Sequence, residues 1–203
     1  MNILINMKNI TIILDAAHGE DTPGKRSPDG RFREYRWSRE IIALLTPKLI
    51  AQGYEVFQSN PTTTEIGLTK RANAANAIAK PKKIFLSIHA NAAGSGTVWM
   101  NARGYSVYTT KGKTNSDTLA EILMKQFKAD FPELKARTDM SDGDLDTEEN
   151  FTAIVKTNCP SVLIEWNFQD NKEDVAILLD DAYNMRFVDS VIEAINKANE
   201  VLG

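Results

Sequence analysis

The stretch Ile-Ile-Leu-Asp-Ala-Ala-His-Gly, residues 12–19, decides the fold, because it is a strand-length apolar run that ends in a histidine. The stretch Ile-Phe-Leu-Ser-Ile-His-Ala-Asn, residues 84–91, repeats this arrangement, and the two stretches hold the chain's only histidines, His18 and His89. Short continuous apolar runs are typical of strands buried on both faces of a parallel sheet. The carboxyl ends of such strands form the crevice where α/β folds bind ligands, so the two imidazoles are expected to converge there.

Alternation of strand-like and helix-like segments extends over the rest of the chain and predicts an α/β fold. We expect a single domain over residues 1–203, with a mixed, mostly parallel twisted sheet of about six strands and helices on both faces. The clearest strand-like runs are residues 10–15, 54–58, 83–89, 104–109 and 161–166. Helical periodicity covers residues 35–52, 65–79, 116–131 and 187–201, with Leu44 and Val201 predicted on core-facing stripes.

Composition excludes several classes of function. The net charge of −3 gives no general electrostatic reason to bind nucleic acid. The single cysteine, Cys159, excludes an internal disulfide and Cys-rich metal motifs, so histidine and carboxylate would have to hold any transition metal. We also expect no membrane insertion, no secretion signal near the N-terminus, and a monomer.

Carboxylates are the natural source of a third metal ligand and of a catalytic base. Glu34 is favoured as the ligand because it follows a turn at Gly30 and begins the first predicted helix, whereas Glu20 and Asp21 compete through their proximity to His18. Glu165 ends an apolar run, where desolvation would raise its pKa toward the range of a proton shuttle.

Separated motifs along nearly the whole chain resemble the zinc-dependent N-acetylmuramoyl-L-alanine amidases of the Amidase_3 type. The matching segments are residues 13–19, Gly30 with Glu34, and residues 53–56, 68–76, 86–92 and 160–168. The resemblance implies a phosphorylase/hydrolase-like fold and one Zn²⁺ per chain, bound by His18, Glu34 and His89. It also implies that Glu165 is the catalytic residue, and that the substrate is the amide between N-acetylmuramic acid and L-alanine in peptidoglycan.

Three further residues are candidates for substrate binding. Arg71 and Asn91 fall on recurring family positions, where supporting roles are an equally open interpretation. Trp166 and Asn167 stand where Thr-Gly is common in the family, and we expect Trp166 to offer a stacking surface beside Glu165. The family's usual Asp-Pro-Gly-His-Gly-Gly reads Asp-Ala-Ala-His-Gly-Glu in residues 15–20, so the backbone beside His18 is expected to differ.

An acidic segment, residues 138–150, is predicted to form a mobile rim of the substrate cleft. Asp142, Asp144 and Asp146 have the spacing of a calcium loop, but Thr147 and Ala153 replace the glycine and glutamate that such a loop requires.

Two other functions remain open from the sequence. A zinc carboxypeptidase or endopeptidase acting within the stem peptide would favour Glu20 or Asp21 as the middle ligand, and a non-catalytic peptidoglycan-binding module would keep the fold without turnover. For the amidase, we expect an enzyme made in the cytoplasm that reaches the wall after release, as an endolysin does, or by another export route.

Overall fold

The computed structural model describes residues 7–141 and 143–203. The N-terminal segment interpreted above as lacking a secretion signal lies partly outside these residues, as does Asp142 of the acidic segment. Six strands are found, β1 (Thr11–Ala16), β2 (Glu55–Gln58), β3 (Lys83–Asn91), β4 (Ser106–Thr109), β5 (Thr147–Glu148) and β6 (Ser161–Phe168). Six helices accompany them, α1 (Glu34–Ala51), α2 (Leu68–Asn76), α3 (Asn115–Asp130), α4 (Thr152–Val155), α5 (Lys172–Leu178) and α6 (Asp181–Leu202).

All six strands form one sheet in the order β2-β1-β3-β6-β4-β5. The four strands from β2 to β6 in this order are parallel, whereas β4 is antiparallel to β6 and parallel to β5. The predicted α/β domain with a mixed, mostly parallel sheet of six strands is therefore confirmed. The carboxyl ends of the central strands β1 and β3 bring both histidines to one edge of the sheet, with His18 two residues after β1 and His89 within the last part of β3.

Each face of the sheet has its own apolar core. Alternate residues of the central strands, such as Leu14, Leu86 and Ile164, pack against α1, α3 and α6. The residues between them pack against α2 and α4 in a smaller cluster. Because α2 and α4 are short, they cover only part of their face, and the ends of β3 and β6 on that face carry His89 and Glu165.

The observed elements differ from the predicted ones in a few places. The second helix is shorter than residues 65–79, because Gly67 adopts a φ of +86° immediately before it. Leu44 and Val201 are exposed, so their predicted places in the core were wrong. In both helices the stripe that contacts the sheet is narrower than the apolar periodicity indicates. In the described part of the chain, none of the helices combines the length and apolar character needed to cross a bilayer.

Candidate metal centre and active site

The segment after β1 is held in place by buried polar contacts. The Ser38 hydroxyl on α1 accepts a hydrogen bond from the Ala17 amide at 2.9 Å and donates one to the Ile88 carbonyl at 2.7 Å, which joins the ends of β1 and β3. The Arg39 guanidinium donates to the carbonyls of Ala17 and His18, both at 2.9 Å. His18 itself has a φ of +45°, which few non-glycine residues adopt. These contacts fix the backbone that presents the first imidazole.

Three side chains from different elements meet at this edge of the sheet. Glu34 begins α1 and is 1% exposed, and its Oε1 lies 3.0 Å from His89 Nδ1 and 3.5 Å from His18 Nε2. The two imidazole rings are edge to face, with centroids 5.1 Å apart. One ligand atom from each residue lies within 4.8 Å of the others, and no further group of this kind occurs in residues 7–141 and 143–203.

This donor set fits a zinc ion. Ligand atoms on a tetrahedral zinc ion with bonds of about 2.0 Å lie about 3.3 Å apart, close to the spacings around Glu34 Oε1. Two imidazoles and one carboxylate also form a recognised set for catalytic zinc, which leaves a fourth position for water or substrate. Glu20 and Asp21 do not join the group, since both are exposed and Asp21 accepts a hydrogen bond from the Glu65 amide at 2.8 Å.

A buried chain of hydrogen bonds orients His89. Its Nε2 lies 3.0 Å from Ser87 Oγ, and the Ser87 hydroxyl donates to Asp15 Oδ2 at 2.7 Å. Since the hydroxyl proton points toward Asp15, the Ser87 oxygen accepts from His89 Nε2–H, which leaves Nδ1 as the nitrogen that could bind a metal ion. Asp15 also accepts from Ser59 at 2.5 Å and lies 3.4 Å from the Arg71 guanidinium. The sequence analysis did not single out Ser87, although it shares a strand face with His89 through the two-residue period.

Replacing Ser87 by alanine is expected to weaken zinc binding about 10–100-fold, the usual effect of removing the hydrogen-bond partner of a metal-bound histidine. Competition with a calibrated chelator measures the affinity. Ser190→Ala is the matched control, because Ser190 is a buried serine on α6 that is remote from this chain of hydrogen bonds. Equal zinc affinity in Ser87→Ala and Ser190→Ala would show that the hydroxyl does not support the ligand.

The pKa values of the three side chains reflect burial and their mutual contacts. Burial lowers the pKa of His18 to about 4, so its imidazole is neutral at pH 7. Burial also acts to lower the pKa of His89, but the hydrogen bond and negative charge of Glu34 outweigh it and raise that pKa. Burial opposes ionisation of Glu34, yet His89 and His18 hold the pKa of this carboxyl below its usual value. The contact between Glu34 and His89 thus favours the charged form of both side chains, and it places the negative charge of Glu34 where a cation would bind.

Glu165 lies directly beside this group. It is paired with His89 in the register of β3 and β6, so both side chains are on the same face of the sheet. Its Oε2 is buried and has no hydrogen-bond partner among the described residues. Burial raises the pKa of Glu165 to about 7. A carboxyl with a pKa in this range and an open hydrogen-bonding site can both accept and donate a proton at neutral pH.

Two of the three predicted substrate-binding residues are corrected by the structure. Trp166 is 0% exposed and stacks on Phe187 with ring centroids 4.3 Å apart, because neighbouring residues of a strand point to opposite faces and Glu165 occupies the site face. Arg71 is also 0% exposed, and its guanidinium donates to the Ala16 carbonyl at 2.7 Å and pairs with Glu65 at 2.6 Å. Neither side chain is available to a substrate.

The third residue, Asn91, remains a prediction. It is half-buried at the end of β3, and its Oδ1 accepts a hydrogen bond from the Ala92 amide at 2.8 Å. Asn167, which stands where the family resemblance indicates glycine, has a φ of +61°. Asparagine tolerates this left-handed conformation better than most residues, so β6 adopts it at position 167 without glycine.

Comparison with known proteins identifies the family. A model of the family described as N-acetylmuramoyl-L-alanine amidase matches residues 12–197, more than nine-tenths of the chain. The chain belongs to this amidase family. The matched range contains His18, Glu34, His89 and Glu165, so the family's characteristic region includes the whole candidate site.

Individual amidases show the same relation. The chain is 25% identical to N-acetylmuramoyl-L-alanine amidase AmiC of Neisseria meningitidis, a match that covers 95% of this chain and 53% of AmiC. It is 24% identical to the probable cell wall amidase LytH of Staphylococcus epidermidis, over 94% of this chain and 59% of LytH. The chain thus spans between half and three-fifths of the length of these two relatives.

Solved structures show the same amidase fold. The crystal structure of an N-acetylmuramoyl-L-alanine amidase from Clostridium difficile 630 superposes with a TM-score of 0.84 at 23% identity, covering 97% of this chain and all of that one. The catalytic domain of the CD27L endolysin, which targets Clostridia difficile, superposes with a TM-score of 0.69 at 14% identity, covering 92% and 97%.

Proposed function

We propose that this amidase-family chain is a zinc-dependent N-acetylmuramoyl-L-alanine amidase, with His18, Glu34 and His89 as metal ligands and Glu165 as the catalytic carboxyl. The observation that carries the proposal is the convergence of two imidazoles and one buried carboxylate beside a second carboxyl with a raised pKa. Family membership supports the choice of the bond between the lactyl group of N-acetylmuramic acid and L-alanine of the stem peptide.

In the proposed hydrolysis of the amide, some residues hold the metal ligands in place and Glu165 transfers the protons. When bound, zinc would polarise the amide carbonyl and lower the pKa of the attacking water. Ser87 and Asp15 hold the His89 ring, and the Ala90 amide donates to Glu34 Oε1 at 3.2 Å, so two of the ligands are fixed before substrate arrives. Glu165 accepts the proton of the attacking water at its free Oε2 and then returns a proton to the departing alanine nitrogen.

The proposed activity is tested by the chemical groups released from purified peptidoglycan. Hydrolysis should produce new alanine amino termini without new reducing sugar ends, should stop on treatment with chelator, and should resume after zinc is added. New amino termini within the stem peptide would instead indicate the endopeptidase alternative. An unchanged wall after prolonged incubation, together with peptidoglycan binding, would indicate the non-catalytic module.

Peptidoglycan is the proposed partner of this chain, in keeping with the cell wall role named for its relative LytH. Release from the cytoplasm in the manner of an endolysin and a monomeric state both stay predictions.

A further inference from the structure

A polar cleft lies beside Glu165, and its lining residues have no role in the proposed mechanism. It has a volume of about 390 Å³, and its lining includes Ser106, Tyr108, Lys135 and Arg137. Ser106 on β4 is paired with Glu165 in the register of β4 and β6. Directly opposed residues on neighbouring strands share a face and lie about 4.5–5.5 Å apart at Cβ. The cleft therefore lies next to Glu165, on the same face of the sheet as the candidate active site.

One wall of this cleft is a short extended segment, residues 135–137, that pairs with Tyr105 immediately before β4. The Tyr105 amide donates to the Lys135 carbonyl at 3.0 Å, and the Arg137 amide donates to the Tyr105 carbonyl at 2.8 Å. Ala136 packs toward the large apolar core on the opposite face. Since successive side chains of an extended segment alternate, Lys135 and Arg137 both point toward the cleft.

Gly104 permits the close approach of this segment to the residues that lead into β4. It has a φ of +98°, and a Cβ atom at this position would lie 2.0 Å from the Lys135 carbonyl oxygen. Only glycine satisfies both requirements. The backbone that carries Lys135 and Arg137 is thus held by hydrogen bonds and close packing beside the sheet.

Charge and hydrogen-bonding capacity in the cleft indicate an anionic ligand. Within the described residues, Lys135 and Arg137 are exposed and form no salt bridge. The Arg137 guanidinium lies 5.3 Å from the centroid of the Phe168 ring. Phe168 is three residues after Glu165 on β6, so this contact holds the guanidinium near the candidate active site. The buried Ser106 hydroxyl has no hydrogen-bond partner among the described residues. Among the residues that the structure describes, those that line the cleft include no acidic side chain.

We propose that this cleft binds a carboxylate of the peptidoglycan stem peptide, with Arg137 and Lys135 as its cationic contacts and Ser106 as a hydrogen-bond donor. The proposal rests on the proposed function, because it takes the amide bond at Glu165 as its reference point. A planar guanidinium can hold a carboxylate through two parallel hydrogen bonds, which supplies direction as well as charge. The cleft would therefore orient the stem peptide relative to the bond that is cut.

The test uses two synthetic muropeptides that differ only in one stem-peptide side group, a free carboxylate or its carboxamide. For the zinc-loaded wild type we expect a KM about tenfold lower for the carboxylate substrate, as for a hydrogen bond to a charged group, with similar kcat for both. The double variant Lys135→Gln, Arg137→Gln should lose this preference and keep its kcat. The paired substitution Lys125→Gln with Lys128→Gln, which removes two positive charges from exposed positions on α3, is the charge-matched control and should keep the preference.

Other outcomes would overturn the proposal. An equal KM for both substrates in the wild type would show that the cleft does not bind the carboxylate. A preference for the carboxylate substrate that persists in the double variant would show the same. An equal rise of KM for both substrates in the double variant would indicate that the two cations attract anionic wall polymers in general. If the wild type cleaves neither substrate, the proposed function fails. Calorimetric titration of the two free stem peptides into wild type and double variant then decides the proposal on the cleft alone.

Discussion

Replacing Glu165 by glutamine is expected to lower kcat on peptidoglycan about 10²–10⁴-fold, the usual contribution of a positioned general acid–base. Glutamine keeps the size of the side chain but can neither accept the proton of the attacking water nor return one to the alanine nitrogen. Burial raises the pKa of Glu165 to about 7, and its Oε2 has no hydrogen-bond partner among the described residues, so this oxygen is free to accept the proton. Release of alanine amino termini measures the loss.

Zinc binding provides the necessary control for this variant. Glu165 is outside the proposed ligand set, so Glu165→Gln should still bind one zinc ion per chain with an affinity close to that of the wild type. Glu193→Gln makes the same chemical change at an exposed position on α6 and should leave both activity and zinc affinity unchanged. Activity of Glu165→Gln within a few-fold of the wild type would contradict the assigned role.

Replacing Glu34 by glutamine is expected to weaken zinc binding by more than the roughly 10–100-fold caused by loss of a ligand's hydrogen-bond partner, since a ligand itself is altered. The neutral amide removes the negative charge that faces both imidazoles, at 3.0 Å from His89 and 3.5 Å from His18. Activity at limiting zinc should fall with the affinity. Metal content after dialysis and chelator competition give the measurement.

Glu20→Gln is the matched control, because Glu20 is the exposed acid that the endopeptidase alternative would favour as a ligand. It should bind zinc as the wild type does. Loss of zinc from Glu20→Gln with retention in Glu34→Gln would reverse the assignment. Glutamine is chosen at position 34 so that its side-chain oxygen can still accept from the Ala90 amide, which limits the effect on folding.

The sequence predicted well the sheet and the convergence of His18, His89 and Glu165 at one edge of it, because both depend on short local patterns. Continuous apolar runs identified β1, β3 and β6, and the ends of those runs identified His18, His89 and Glu165. The two-residue strand β5 was not predicted, since it lies within the acidic segment and carries no apolar periodicity. Its pairing depends on β4, which no local pattern reveals.

The residues alone favoured Glu34 but left Glu20 and Asp21 open as the third ligand, because the choice depends on the path of the loop between β1 and α1. The wrong prediction that Trp166 offers a stacking surface could have been avoided, since strand alternation places its side chain on the opposite face of the sheet from Glu165. The burial of Arg71 was harder to predict. It is stabilised by Asp15, Glu65 and the Ala16 carbonyl, partners brought together only by the tertiary fold.

Anomalous diffraction at the zinc absorption edge, from crystals of the zinc-loaded protein, examines the central claim most directly. We expect a single strong peak bonded to His18 Nε2, His89 Nδ1 and a Glu34 carboxylate oxygen, at about 2.0–2.2 Å from each. A peak on Glu20 or Asp21, or the lack of any peak between the two imidazoles, would contradict the proposed metal centre.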